Sequence, residues 1–403
     1  MSDIGYIQNN KISRLDYFVA TFFFASGGNG LITGKWHAFI FVGIMVVLLS
    51  IYHKRLYNKV LLSWLFSFLI LSILQISLLR YISMPAYFNF AMKLIAGFMM
   101  VNFLGTKFRF AYLNVCTFFS AISLVFWIVH MFHPFHGGIP VGNSFSFGFW
   151  SYFGRSSEEA MRNQGMFWEP GAFQGYLMMV PILFIDKLRD LWSSERRKCL
   201  ILFATLLSTF STTGYITFML IIGLYLIKGM KNPSTRIFLI IGFLGLSYWA
   251  FNTFDFLGEK INSQYEKSSE LDYSDYGAMQ GRMGTMYIDM EMIAKSPLIG
   301  NGFDAESKYG AISDIMATSG NGLTGLVTTF GIPFFIMYVI GIYKSHPAQD
   351  KYFKFAAIVA IFVVFYGESF YNFIPYWALL FAHYRRDDMY IFSTKHEKCK
   401  ILR

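Results

Sequence analysis

Arg162 and Glu169 stand seven residues apart in the segment Arg162-Asn163-Gln164-Gly165-Met166-Phe167-Trp168-Glu169-Pro170-Gly171, beside an apolar run long enough to enter a membrane. A guanidinium offers a fork of donors that matches a phosphate, and a carboxylate can accept a proton. The glycines let the segment fold back, so the two side chains can converge on one site, with Trp168 beside them. Charge kept at a membrane boundary is a candidate for function. The plainer alternative is an ion pair that pins a loop.

Arg282 follows Gly281 at the start of a helical pattern, and an arginine at a helix N-terminus suits an anion. Its alternative role is an anchor to lipid phosphates. Glu368, in Tyr366-Gly367-Glu368-Ser369, lies near the end of an apolar run, where it either pairs with a loop arginine or is simply a residue at the run's surface. His130, His133 and His136 have spacings that suit a metal, but no carboxylate accompanies them in sequence. Asp272 and Asp275 do not form an Asp-x-Asp pair. No metal and no cofactor is expected. The three cysteines, Cys116, Cys199 and Cys399, form no Cys-x-x-Cys pattern, so cysteine chemistry is not expected either.

The elements that must position these residues are membrane spans. Of 403 residues, 55% are hydrophobic, 20% aromatic and only 14% charged, too apolar for an ordinary soluble domain. Twelve apolar runs suit a hydrocarbon core of roughly 30 Å: Leu15–Leu31, Trp36–Tyr52, Val60–Leu79, Met84–Leu104, Phe108–Phe132, Gly171–Ile185, Cys199–Thr212, Tyr215–Ile227, Ile237–Phe254, Gly322–Tyr343, Phe355–Phe370 and Asn372–Tyr384. The expectation is an all-α polytopic membrane protein of about 12 transmembrane helices, residues 1–403 forming one integral membrane domain. With the N-terminus inside, 24 of the 34 Lys and Arg fall in inner segments, Arg109 being counted with the inner edge of its span, nine fall in outer ones, and Lys93 lies within a span. That asymmetry places both termini in the cytoplasm, and it explains the net charge of +10 without nucleic-acid binding. No Ala-x-Ala-like cleavage site follows the polar Met1–Ser13 stretch, so the first span is expected to stay.

Two extracytoplasmic connections are long, residues 133–170 and 255–321. Within the second, Met283, Met286, Tyr287, Met290, Ile293 and Ala294 recur at helical spacing, predicting an amphipathic helix over 281–295 that lies on the membrane surface or caps a cavity. Two short runs flank Ser211-Thr212-Thr213-Gly214. They read either as a broken span facing protein or a wet cavity, or as a hairpin whose hydroxyls bond back to carbonyls. Gly27-Gly28-Asn29-Gly30 ends the first run early for no reason visible in the sequence.

Four segments in order resemble the O-antigen polymerase and ligase superfamily, over about Arg162 to Tyr384. Arg162–Gly171 is similar to the Arg-x-x-Gly-x-Phe-x-Glu-Pro signature of Wzy-type polymerases. Ser208–Gly214 looks like the family's Ser-rich break, and Gly281-Arg282 with Pro297-Leu298-Ile299-Gly300-Asn301-Gly302-Phe303 like its Arg followed by Pro-Leu-x-Gly-x-Gly-Phe. Gly320-Asn321 through Phe330-Gly331-Ile332-Pro333 completes the set. Ligases of this superfamily carry a His-Asn pair where Gly320-Asn321 stands, and the missing histidine favours a polymerase.

The resemblance implies a GT-C-like glycosyltransferase of the bacterial inner membrane, acting at its outer face on polyprenyl-diphosphate-linked oligosaccharide donor and acceptor. Glu169, Arg162 and Arg282 would be catalytic. Arg162, Arg282, Trp168, Asn321 and Glu368 would bind substrate. Membrane lipids and a chain-length regulator protein are the further partners it implies. The alternatives are an O-antigen ligase, and a lipid-linked oligosaccharide flippase or other transporter.

Overall fold

In the computed structural model, the described residues are 12–29, 32–33, 36–135, 138–141, 145–148, 151–154, 161–232, 281–313 and 318–382, with scattered positions between 234 and 245. The expected span Ile237–Phe254, residues 255–280 and 314–317 of the second long connection, Arg155, Glu158, Glu159 and His136 lie outside the description in whole or in part.

The chain is mostly helical. Helices α1 (Arg14–Ala25), α2 (His37–Ile51), α3 (Lys59–Leu78), α4 (Met84–Leu104) and α5 (Phe108–Phe132) lead to a small sheet of β1 (Ile139–Val141), β2 (Phe145–Gly148) and β3 (Ser151–Gly154). Helices α6 (Pro170–Leu183), α7 (Leu188–Ser194), α8 (Arg196–Ser208) and α9 (Thr212–Gly229) follow. The last set is α10 (Arg282–Lys295), α11 (Ala305–Tyr309), α12 (Gly322–Ser345), α13 (Lys351–Gly367) and α14 (Ile374–Ala378).

Among the described residues, four helical stretches are long and apolar enough to cross a membrane: α3, the run from α4 through α5, α9 and α12. This is a membrane protein. Several expected spans are shorter helices. α1 has 12 residues, α6 14 and α8 13, which at 1.5 Å per residue reach only about 18–21 Å. For α6 the reason is burial in protein. All of α6 except Pro181 is buried, and it needs no length to satisfy a lipid boundary when other helices surround it. The expected span Asn372–Tyr384 likewise breaks into the short α14 between two 3-10 turns, packed in the core.

The β1-β2-β3 sheet is a departure from the all-α expectation. It is antiparallel, with Val141 opposite Phe145 and Phe147 opposite Tyr152. β3 is wholly buried and is tied to the loop beyond it by the Tyr152 N–H, which donates to the Gly165 carbonyl at 2.7 Å.

The early stop of α1 has a packing cause. A Cβ on Gly27 would lie 2.4 Å from the Tyr176 ring, and one on Gly28, at φ +119°, would lie 2.1 Å from the Trp168 ring. Only glycine lets α1 end under these two aromatics.

Helix α12 is broken, and its break is bound by the segment from Pro297 to Phe303. Gly331 sits at φ 80°, ψ 164°, and Pro333 has no N–H to give to the Thr329 carbonyl. That carbonyl instead accepts from the Gly302 N–H (3.2 Å) and from Gln75 Nε2 on α3 (2.8 Å). The Thr328 carbonyl takes the Asn301 N–H at 2.7 Å, and the Ile332 N–H reaches the Pro297 carbonyl at 2.8 Å. Every backbone group freed at the kink that these bonds describe is satisfied within protein, as irregular backbone in a membrane requires.

Candidate functional site

Five chain segments meet at one end of the helix bundle. Glu169 is the N-cap of α6, Arg282 the first residue of α10, Asn321 the N-cap of α12, and Glu368 the C-cap of α13. Glycines permit the approach. A Cβ on Gly171 would lie 2.8 Å from Glu368 Oε1 and 3.0 Å from both Arg282 Nη2 and Glu169 Oε1. One on Gly322 would lie 2.0 Å from the Glu368 carbonyl oxygen, and one on Gly367 would lie 2.8 Å from the Thr213 methyl at the start of α9.

Arg282 is the centre of this cluster. Its Nε donates to the Gly367 carbonyl at 2.5 Å, and its Nη2 is shared between Glu368 Oε1 at 2.8 Å and Glu169 Oε1 at 3.3 Å. Nη1 has no partner among the described residues. The Glu368 side chain is 10% exposed and that of Glu169 37%, so Glu368 anchors the guanidinium while Glu169 keeps a face open to solvent.

Arg162 stands close by without a hydrogen-bond or ion-pair partner among the described residues. Partial burial lowers its pKa from the ordinary arginine value, with Glu169 opposing and Arg282 reinforcing that shift. The three charges are therefore within electrostatic reach of one another. Arg162 also lines a small recess beneath the sheet with Ser123, Trp127, His130 and Ser151. Among the described residues of the cluster, two arginines and two glutamates balance in formal charge.

The other expected residues have structural duties. Trp168 stacks on Phe373 with ring centres 4.7 Å apart. Asn321 Oδ1 caps α12, accepting from the Leu323 and Thr324 N–H groups at 3.0 and 3.2 Å. His130 uses both ring nitrogens within the protein, one against the Gly154 carbonyl and one accepting from the Phe135 N–H. Among the described residues no group of three metal-ligating side chains occurs.

Several residues were not singled out from the sequence. Asn163 locks the signature segment onto the Ser-Thr break: its N–H donates to the Ser208 carbonyl and its Nδ2 to Ser208 Oγ, both at 2.9 Å. At that break Ser208, Thr209 and Thr217 hydroxyls bond back to carbonyls in their own helices. Gln174, one turn into α6 from Gly171, is buried with neither amide atom partnered among the described residues, and the Cβ position of Gly214 lies 3.0 Å from its Oε1. Its position three residues after Gly171 was the available signal.

Helix α10 forms where expected, and the face it turns into the protein is not the apolar stripe. Gly284, Thr285, Ile288 and Asp289 pack inward, while Tyr287 and Met290 are 41% and 57% exposed. The apolar stripe therefore faces out, and the inward face carries a carboxylate. Asp289 accepts from Ser319 Oγ and Thr324 Oγ1, each at 2.6 Å, and from the Tyr309 hydroxyl at 3.2 Å. Burial raises its pKa despite these donors. The neighbouring buried Lys308 is pushed down to about 8 by burial, against the pull of Asp289 and Asp304.

No protein-family model matches the chain, and no curated protein matches it.

Proposed function

We propose that the chain is a membrane glycosyltransferase that polymerises polyprenyl-diphosphate-linked oligosaccharide repeat units into O-antigen or capsular polysaccharide. The reaction runs at the outer face of the bacterial inner membrane, in a protein of twelve spans with both termini cytoplasmic. The observation that carries this reading is the Arg282 guanidinium held between Glu169 and Glu368, with Arg162, which has no ion-pair partner among the described residues, beside it.

In the transfer, the acceptor hydroxyl oxygen bonds to the donor sugar's anomeric carbon as the bond from that carbon to the diphosphate oxygen breaks. The electron pair leaves on the lipid diphosphate. Arg162 and the Nη1 of Arg282 stabilise that developing charge, the kind of preorganised electrostatic term that is often the largest in catalysis. Glu169, the more exposed carboxylate, takes the hydroxyl proton, and Glu368 positions Arg282. Two lipid-anchored substrates held side by side also gain from proximity. Gly320, where a ligase of the resembled superfamily has histidine, supports polymerisation over transfer to a different acceptor.

Arg162→Ala and Arg282→Ala, expressed and inserted at normal level, should each abolish long-chain glycan in cells. Normal polymer ladders from both variants would remove the diphosphate site.

A further inference from the structure

We propose that the end of α3 and α12 opposite the candidate active site holds an anionic phospholipid, bound by Arg55, Lys59 and Lys344. A cavity of about 870 Å³ opens there between the loop before α3, the last turn of α12 and the 3-10 turn Leu379–Phe381. Its size is that of a small-molecule site. Arg55, Lys59 and Lys344 line it and no carboxylate does. None of the three makes an ion pair among the described residues. Leu56, Val60, Leu62 and Phe381 supply apolar wall, with Val60 and Leu62 46% and 50% exposed. Cations over an apolar wall at the end of membrane-length helices are the arrangement that takes a phosphate headgroup and its acyl chains.

The walls are fixed in place. Asn102 Nδ2 donates to the Arg55 carbonyl at 2.7 Å, Lys54 Nζ to the Phe103 carbonyl, and Ser345 Oγ to the Leu380 carbonyl at 2.5 Å. Asn58 caps α3 through the Leu61 N–H at 2.8 Å. The remote position is equally defined: Gln75, near the other end of the 20-residue α3, bonds to the Ile299 and Thr329 carbonyls, about 25 Å away along the helix. Residues 384–403 follow the cavity in sequence, but with six basic and three acidic residues they carry its own sign of charge. Charge complementarity therefore selects a lipid phosphate over this tail. The proposal does not depend on the glycosyltransferase reading.

The test uses the full chain in nanodiscs and native mass spectrometry, with phosphatidylglycerol, phosphatidylcholine and inorganic phosphate as probes. Wild type should retain phosphatidylglycerol over phosphatidylcholine, and inorganic phosphate should not displace it. Each of Arg55→Gln, Lys59→Gln and Lys344→Gln should weaken retention on the order of fivefold, and the triple variant roughly a hundredfold, while Lys295→Gln on exposed α10 changes nothing. These substitutions touch exposed cations, and thermal unfolding in phosphatidylcholine alone checks that the variants fold. Retention of phosphatidylglycerol by the folded triple variant at the wild-type level would overturn the proposal, as would displacement by inorganic phosphate.

Discussion

Arg282 Nη2 lies 2.8 Å from Glu368 Oε1, and the two residues come from helix ends 86 positions apart in the chain. That contact fastens the N-terminus of α10 to the C-terminus of α13, and the Arg282 Nε bond to the Gly367 carbonyl fixes the plane of the guanidinium. A lysine cannot reproduce it, since one ammonium lacks the planar fork that reaches a carbonyl and two carboxylates at set angles. Among the described residues, Nη1 and the guanidinium of Arg162 have no hydrogen-bond or ion-pair partner on this side.

Gly171 tests the packing beneath that contact. The three atoms nearest its Cβ would be side-chain tips at 2.8–3.0 Å, so Gly171→Ala should fold but push the charges apart. Polymer synthesis by reconstituted protein should fall on the order of a hundredfold, the scale expected for a displacement of about 1 Å at a reacting centre, with insertion and thermal stability near wild type. Full activity would show that the spacing of these charges is immaterial.

Gly331 should behave in the opposite way. An added Cβ would lie 2.5 Å from the Leu298 carbonyl oxygen and 2.9 Å from the Gly300 nitrogen, at φ +80°, and backbone cannot swing aside. Gly331→Ala should cost several kcal/mol, read as loss of monodisperse protein or a lowered Tm in detergent. Gly43→Ala, whose Cβ meets nothing within 4 Å, should be neutral or stabilising by up to about 1 kcal/mol.

Lys308 makes a pH prediction. Its pKa falls from 10.5 to about 8 on folding, so between those values the unfolded chain binds more protons than the folded one, and stability rises with pH across that window. At neutral pH its buried charge is a cost. Lys308→Met should raise stability at pH 7 by about 2 kcal/mol and flatten the rise between pH 8 and 10.5 in thermal unfolding. An unchanged slope would show that Lys308 is solvated in the folded protein.

The sequence made the charged residues legible where their neighbours were unusual: Arg162, Glu169, Arg282 and Glu368 all stand next to or near a glycine, and all four gather at one place. The break in α12 was not legible in the sequence: Gly322–Tyr343 reads as one span, and the pairing of Pro297–Phe303 with the kink at Gly331 rests on backbone bonds between segments about thirty residues apart. What periodicity could not give was which face of α10 turns inward, because a membrane protein can present apolar side chains outward and bury an aspartate among hydroxyls that come from Ser319 and Thr324, far along the chain. The short buried helices α1 and α6 escaped for a related reason. Apolar composition reads the same whether lipid or protein surrounds a helix.

The role of Glu169 is the most direct test of the account. Purified protein reconstituted with lipid-linked repeat units would be compared as wild type, Glu169→Gln and Glu368→Gln, with product length followed against pH. Glutamine keeps the shape and can still accept the Arg282 bond, but it cannot take the acceptor proton. Glu169→Gln should therefore make no polymer while lipid-linked repeat units accumulate, and Glu368→Gln, which keeps the positioning contact without its charge, should retain reduced activity with the wild-type pH profile. Polymer of normal length from Glu169→Gln, with an unshifted pH profile, would contradict the account.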